Sequence, residues 1–296
     1  MGVDAALPNF RRPTGVTGTV TGMNVHRDYV EIDGDRLLYE VAGSGPALLF
    51  LHAGITDRRM WETEFEQFSG DHLVARFDAR GFGRSSAHTR PFLRCEDALA
   101  VMNAAGIDRA ALVGCSLGGR TALEVCVTAP GRVSGLVLIA AALRAHEWSG
   151  DMRRYGEEED ELFERADLDE LVEINLRTWV DGPQRNPDEV DPTIRALVGA
   201  MQRDSFEILL AAGNGLSDED EIHPPAAERL GEIAVPTLVM WGDLDVPDIA
   251  KIGERIAGAI PESAVEIVEG AAHLPNLEAP QRVGDAIATF LASRGL

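Results

Sequence analysis

The chain has 296 residues, 45% of them hydrophobic, and a formal net charge of −22. That length and apolar content suit one α/β domain with an insertion, while the charge argues against nucleic-acid and membrane partners. There is no apolar run long enough to span a bilayer, no signal-peptide pattern in MGVDAALPNFRRPTG, and no C-x-x-C pair among Cys95, Cys115 and Cys126; the expectation is a cytoplasmic protein without metal or disulfide framework, loosely held over residues 1–24.

In chain order, DYVEID and RLLYEVA flank Gly34-Asp35 and predict a hairpin. ALLFL (47–51) predicts a strand buried on both faces, and a helix follows from Arg58 to Phe68. HLVARFD (72–78) predicts a strand that runs into the glycine-rich loop ARGFGRSS. CEDALAVMNAAG predicts a helix closed by Gly106, AALVG (110–114) a strand, LGGRTALEVCVTAP a helix stopped near Pro130, and VSGLVLIAA another strand. From 143 to 222 no strand-like run occurs. This stretch is acidic and helical, and the run Glu157, Glu158, Glu159, Asp160, Glu161 is expected to be a solvated helix face. AVPTLVMWG, a helix from about Ile249, AVEIVEG and a helix over 280–293 complete the chain. The alternation predicts an α/β fold: a mostly parallel eight-stranded sheet with helices on both faces, made by residues 25–142 and 223–296. Residues 143–222 form a helical cap inserted over the C-terminal strand ends, where open α/β sheets hold ligands.

The chemistry concentrates in LVGCSLGGR, where Ser116 sits in a G-x-S-x-G pattern between a predicted strand and a predicted helix. A sharp turn there brings the flanking residues together, so side chains at 114 and 118 would collide, and the Ser116 hydroxyl is held out above a helix N-terminus. A serine needs a base. His273, in EGAAHLPNLEAP between the last strand and the last helix, has the best setting of the seven histidines. The base needs a carboxylate, and WGDLDVP offers Asp243 and Asp245; Asp245 is preferred because Asp243 follows a glycine and suits the turn. Oxyanion donors are expected from the backbone N–H of Leu117 and from LHAGITDRRMW, with Gly54 preferred and Ile55 the alternative. His52 is expected to brace that loop, and Cys115 to point into packing.

These pieces, LHAG, FDARGFGRSS, GCSLGG, WGDLD and GAAHLPNLEAP, together with the chain order Ser, Asp, His, resemble the α/β-hydrolase superfamily from about Tyr29 to the C-terminus. Within it the chain is similar to the 3-oxoadipate enol-lactonase-like branch and to related esterases and C–C bond hydrolases. The resemblance implies an α/β-hydrolase fold, with Ser116 as nucleophile, His273 as base, Asp245 as acid, and structural roles for Asp78 and Arg80. Ala53 departs from the usual glycine, and the acidic insertion matches nothing that identifies a substrate. The serine argues against the dehalogenases and epoxide hydrolases of this fold, which use an aspartate nucleophile.

The resulting expectation is a cofactor-free hydrolase of small-molecule carboxylic esters or lactones, with a homodimer allowed. Ile55, Tyr155, Phe163, Trp179, Met201 and Phe206 are candidates to line its pocket. The alternatives are a C–C bond hydrolase, a cofactor-free haloperoxidase or perhydrolase, and a small-molecule receptor built on the same fold.

Overall fold

The computed structural model describes residues 16–20, 23–216 and 219–296. Its strands, in chain order, are β1 (Val16–Val20), β2 (Met23–Ile32), β3 (Asp35–Gly43), β4 (Ala47–Leu51), β5 (Leu73–Phe77), β6 (Ala110–Cys115), β7 (Val133–Ile139), β8 (Thr237–Gly242) and β9 (Ser263–Val268). They form one sheet in the order β1-β2-β3-β5-β4-β6-β7-β8-β9. The β4, β6, β7, β8 and β9 strands and β5 run parallel, while β1, β2 and β3 add antiparallel pairing at one edge. The eight expected strands are β2–β9, and β1 extends the sheet by a ninth. The segment expected to be loose up to residue 24 falls outside the described residues at 1–15 and 21–22, but Val16–Val20 is corrected to a strand paired with β2. The hairpin turn sits at Asp33-Gly34, both with positive φ as a two-residue hairpin turn requires, one residue earlier than the sequence suggested.

The unbroken apolar strands follow from burial on both faces. In β4, Leu49 and Leu51 enter one core while Leu48 and Phe50 enter the other, as the two-residue pleat dictates. Helix α1 (Glu62–Phe68) supplies Phe65 and Phe68 to the second core. Helices α2 (Arg94–Ala104) and α3 (Leu117–Thr128) supply Val101, Met102 and Leu123 to the first.

Between β7 and β8 lie α4 (Gly150–Glu164), α5 (Leu168–Asn175), a π turn over Leu176–Asp181, and α6 (Pro192–Ala212), with no strand among the described residues. Local sequence sets their limits. Ser149 accepts from the Met152 N–H to start α4, Asp191 accepts from the Thr193 N–H ahead of Pro192 to start α6, and Gly213 ends α6 in the left-handed region. Helices α7 (Pro247–Ala259), α8 (Pro275–Glu278) and α9 (Pro280–Arg294) complete the chain, α7 packing on the first core and α9 on the second.

Strand order reverses around β4, which pairs with β5 on one side and β6 on the other. Such a reversal opens a crevice at the C-terminal strand ends. The loops after β4 and β6, carrying Gly54 and Ser116, meet at that point, since Leu51 pairs with Gly114.

Candidate active site

Ser116 links β6 directly to α3 with φ of 50° and ψ of −111°, a conformation that side-chain-bearing residues rarely adopt. Its N–H donates to the Ile139 carbonyl at 2.9 Å, and its own carbonyl accepts from Ala142 at 3.0 Å. The turn is thereby locked to the end of β7. A Cβ on Gly114 would overlap the Gly118 carbonyl, and one on Gly118 would overlap the carbonyl of Leu51. The glycines around the serine therefore answer to backbone crowding, with the loop after β4 as the second wall.

His273 is buried, and its Nδ1 lies 2.8 Å from Asp245 Oδ2. The other carboxylate oxygen of Asp245 accepts from the Val246 N–H at 2.7 Å, which fixes the plane of the carboxylate. The two loops are joined by a further rung, Leu244 N–H to the Ala271 carbonyl at 3.0 Å. Asp243 points elsewhere: its Oδ1 accepts from the Gly270 N–H at 2.6 Å, the turn-shaping place expected for it. Ser116 Oγ and the imidazole share no hydrogen bond in this structure, but their loops touch, because the Cys115 thiol reaches the His273 carbonyl at 3.7 Å. Cys115 is fully buried, and burial, then the Asp245 and Glu64 carboxylates, push its thiol well above the ordinary range. It packs, as expected.

Gly54 faces the Leu117 side chain with room for little more than a methyl group: a Cβ built on Gly54 would sit 3.6 Å from Leu117 Cβ. Among the described residues the Gly54, Ile55 and Leu117 N–H groups have no protein acceptor. His52 holds this loop in place. Its Nε2 accepts from the Ala79 N–H at 3.0 Å, so Nδ1 carries the proton and donates to the Ala53 carbonyl at 2.8 Å. Burial pushes its imidazole below the ordinary range, which keeps this neutral tautomer.

Asp78 accepts from the backbone N–H groups of Arg58 and Arg84 and pairs with the Arg58 guanidinium at 2.7 Å. Arg80 grips Asp97 through two nitrogens and also pairs with Asp35. These buried ion pairs tie the loop after β5 to Arg58, to the start of β3 and to α2.

Of the six pocket candidates, Trp179 comes closest to the base, its ring centroid 4.4 Å from that of His273. Tyr155 accepts from the Trp179 indole N–H at 2.9 Å. Phe163 and Phe206 face one another at 6.1 Å inside the cap. The Met201 sulfur lies 3.4 Å from the Asp57 N–H, at the seam between cap and core, and Ile55 is buried in the same apolar cluster.

Sequence reasoning missed several inward-turned carboxyl groups. Glu159 is a correction to the solvated run: its four neighbours are exposed, but it turns inward onto Tyr155 and Asn175. The spacing of four from Tyr155 was the available signal. Glu64, on α1, has both carboxylate oxygens buried without a close hydrogen bond, and burial, which outweighs the nearby Asn276 amide and Arg76 guanidinium, pushes it up to about 8. Glu219, beyond α6 near the end of the 143–222 segment, is met by Arg94, Arg120 and Arg144. Burial works against its charge, but the three guanidinium groups outweigh it and hold the carboxyl down at about 2. Among the described residues no cluster of His, Cys, Asp or Glu is arranged to hold a metal ion, and no helix is long and apolar enough to cross a membrane.

The alpha/beta hydrolase fold profile matches residues 46–280. The chain is 25% identical over 254 residues to 3-oxoadipate enol-lactonase 1 of Acinetobacter baylyi, covering 84% of this chain and 90% of that protein. It is 27% identical over 266 residues to the pimeloyl-[acyl-carrier protein] methyl ester esterase of Edwardsiella ictaluri, covering 88% and 99%. Among solved structures, a hydrolase from Pseudomonas aeruginosa superposes with a TM-score of 0.73 at 28% identity, covering 90% of this chain and 98% of that one.

Proposed function

The chain belongs to the α/β-hydrolase fold family, and from that premise we propose a serine hydrolase of small carboxylic esters or lactones that works through an acyl-enzyme. The observation that carries this reading is the buried His273–Asp245 pair at 2.8 Å, held in the loop next to the left-handed Ser116. Relatives that span most of the chain and carry esterase and lactonase names support the same class of bond.

Asp245 accepts from Nδ1–H of His273, which leaves Nε2 as the basic nitrogen. As substrate seats, Nε2 closes on the Ser116 hydroxyl; such contacts commonly tighten only in the complex. Nε2 takes the hydroxyl proton while Oγ bonds to the acyl carbon, and the carbonyl electrons move onto oxygen. The N–H groups of Leu117 and Gly54 receive that oxyanion. On collapse, the C–O bond breaks and the imidazolium proton goes to the leaving alcohol. Water, deprotonated by His273, then cleaves the acyl-enzyme and frees Ser116.

The test is a panel of p-nitrophenyl esters and simple lactones with wild type and Ser116→Ala. The expected loss is about 10³-fold or more in kcat, as for other nucleophile knockouts. Equal turnover by the variant would overturn the mechanism, and no turnover of any ester or lactone by wild type would overturn the substrate class.

A further inference from the structure

Among the described residues, the imidazole of His273 has one hydrogen bond, to Asp245, and a single bond leaves the tilt of the ring about that axis to be set by packing. What covers its face comes from the cap. The indole of Trp179 lies 4.4 Å away at an interplanar angle of 43°. We infer that Trp179 is a positioning residue for His273, held by a relay of cap side chains, an assignment that rests on His273 being the base.

The relay is built rather than incidental. The indole N–H donates to the Tyr155 hydroxyl at 2.9 Å. That hydroxyl lies 2.8 Å from Glu159 Oε1 and 2.8 Å from Asn175 Oδ1. The Asn175 amide donates to Glu159 at 2.9 Å and to the Leu171 carbonyl at 3.0 Å. Three separate pieces of the cap thus converge: α4 with Tyr155 and Glu159, α5 with Asn175, and the π turn with Trp179. The hydroxyl proton serves one of its two acceptors at a time, and the shared, partly buried network ties its members to one another.

The π turn is the second observation. Wide turns of this kind are rare and recur at functional sites, because the added residue re-aims a side chain. This turn is also fastened to the base by a route that does not use the indole. Arg185 donates to the Val180 and Asp181 carbonyls at 2.8 Å each and pairs with Glu278 at 2.6 Å. Glu278 in turn accepts from the Ala272 N–H at 2.8 Å, one residue before His273. Just past the turn, Gly182 passes so close to the Asp245 loop that a Cβ there would overlap the Leu244 carbonyl. The cap segment that carries Trp179 is therefore seated on both catalytic loops. With the indole edge anchored and its ring tilted against the imidazole, the imidazole tilts less about the Asp245 bond, and Nε2 stays aimed toward the serine.

The experiment measures the rate of Ser116 labelling by a fluorophosphonate probe, together with kcat and KM on p-nitrophenyl butyrate and the melting temperature. Trp179→Leu is expected to lower the labelling rate and kcat by roughly 10–100-fold, the effect of a small misplacement, with KM within about threefold of wild type. Trp179→Phe, which keeps an aromatic face, is expected to recover most of that loss. Should Trp179→Leu fail to fold, Tyr155→Phe keeps the indole but frees its edge and is expected to lower kcat several-fold with KM unchanged. A rise in KM alone would make Trp179 a pocket wall, and faster labelling would make it a plug; either result overturns the inference, as does Phe performing no better than Leu. His273→Ala is the control: wild-type labelling there would sink the base assignment, whereas slow labelling there with an unaffected Trp179→Leu sinks only the positioning role.

Discussion

After β8, two aspartates separated by one residue do different things. Asp245 fixes the imidazole, while Asp243 holds the Gly270 N–H and with it the bend that delivers His273. Asp245→Asn is expected to lower kcat by about 10⁴-fold with little change in KM, because an amide favours the wrong imidazole tautomer. Asp243→Asn is expected to stay within a few-fold of wild type, and steady-state kinetics of the two variants decide which is the acid. The contact of Asp245 with His273 could be anticipated from the sequence because chemistry constrains it: a serine nucleophile demands a base and a carboxylate, and glycine-adjacent aspartates shape turns. Glu64 could not be read, since nothing in WETEFEQF shows that one of its three glutamates is buried and unpaired. With its carboxyl raised from 4.5 to about 8, the folded chain holds a proton that the unfolded chain releases. The associated stability is complete below about pH 4.5 and is lost as pH rises towards 8, by roughly 1.4 kcal/mol per unit in that window. Glu64→Gln should therefore melt progressively higher than wild type as pH is raised from 5 to 8; parallel melting curves across that range would count against a proton on Glu64.

The two ends of the helical insertion between β7 and β8 meet one another through Arg144 and are tied to α2 and α3 through Glu219. Arg144 leaves β7 and pairs with Glu219 and Glu221 beyond α6, while Arg94 and Arg120 hold Glu219 from α2 and α3. Because the Glu219 carboxyl is depressed from 4.5 to about 2, its stabilisation is present above about pH 4.5 and lost as pH falls towards 2. Removing one partner of a buried ion pair costs about 3–5 kcal/mol. Glu219→Gln is expected to melt lower at pH 7, to lose its extra sensitivity between pH 4.5 and 2, and to be cut faster by protease near the two cap ends. Unchanged proteolysis would show that the ends are held by packing instead. The helical insertion between β7 and β8 was legible, because eighty residues without a strand pattern interrupt a regular alternation. Its fastening was not: Arg94, Arg120, Arg144 and Glu219 are far apart in sequence, and each alone reads as a surface charge. Inside α4 the same blindness hid Glu159, whose inward turn depends on Asn175 from the next helix.

For the molecule as a whole, 49 acidic against 27 basic residues surround a site whose nearest aromatic cover is itself carried by the acidic cap. A field of this sign slows the approach of anions and is screened by salt over about 10 Å at 0.1 M. The value of kcat/KM for an anionic ester such as a p-nitrophenyl hemisuccinate should rise several-fold between 0.01 and 0.3 M salt, while that for a neutral ester stays flat. Equal salt responses for both would show that the charge does not reach the site. A different consequence follows from the rung between Leu244 and Ala271. It ties the loop that carries the carboxylate to the loop that carries the imidazole, so an incoming acyl group has little room to change the spacing between those two loops. Whatever accommodation catalysis requires falls on the opposite side of the ring, where the imidazole pair as a unit approaches or recedes from the hydroxyl.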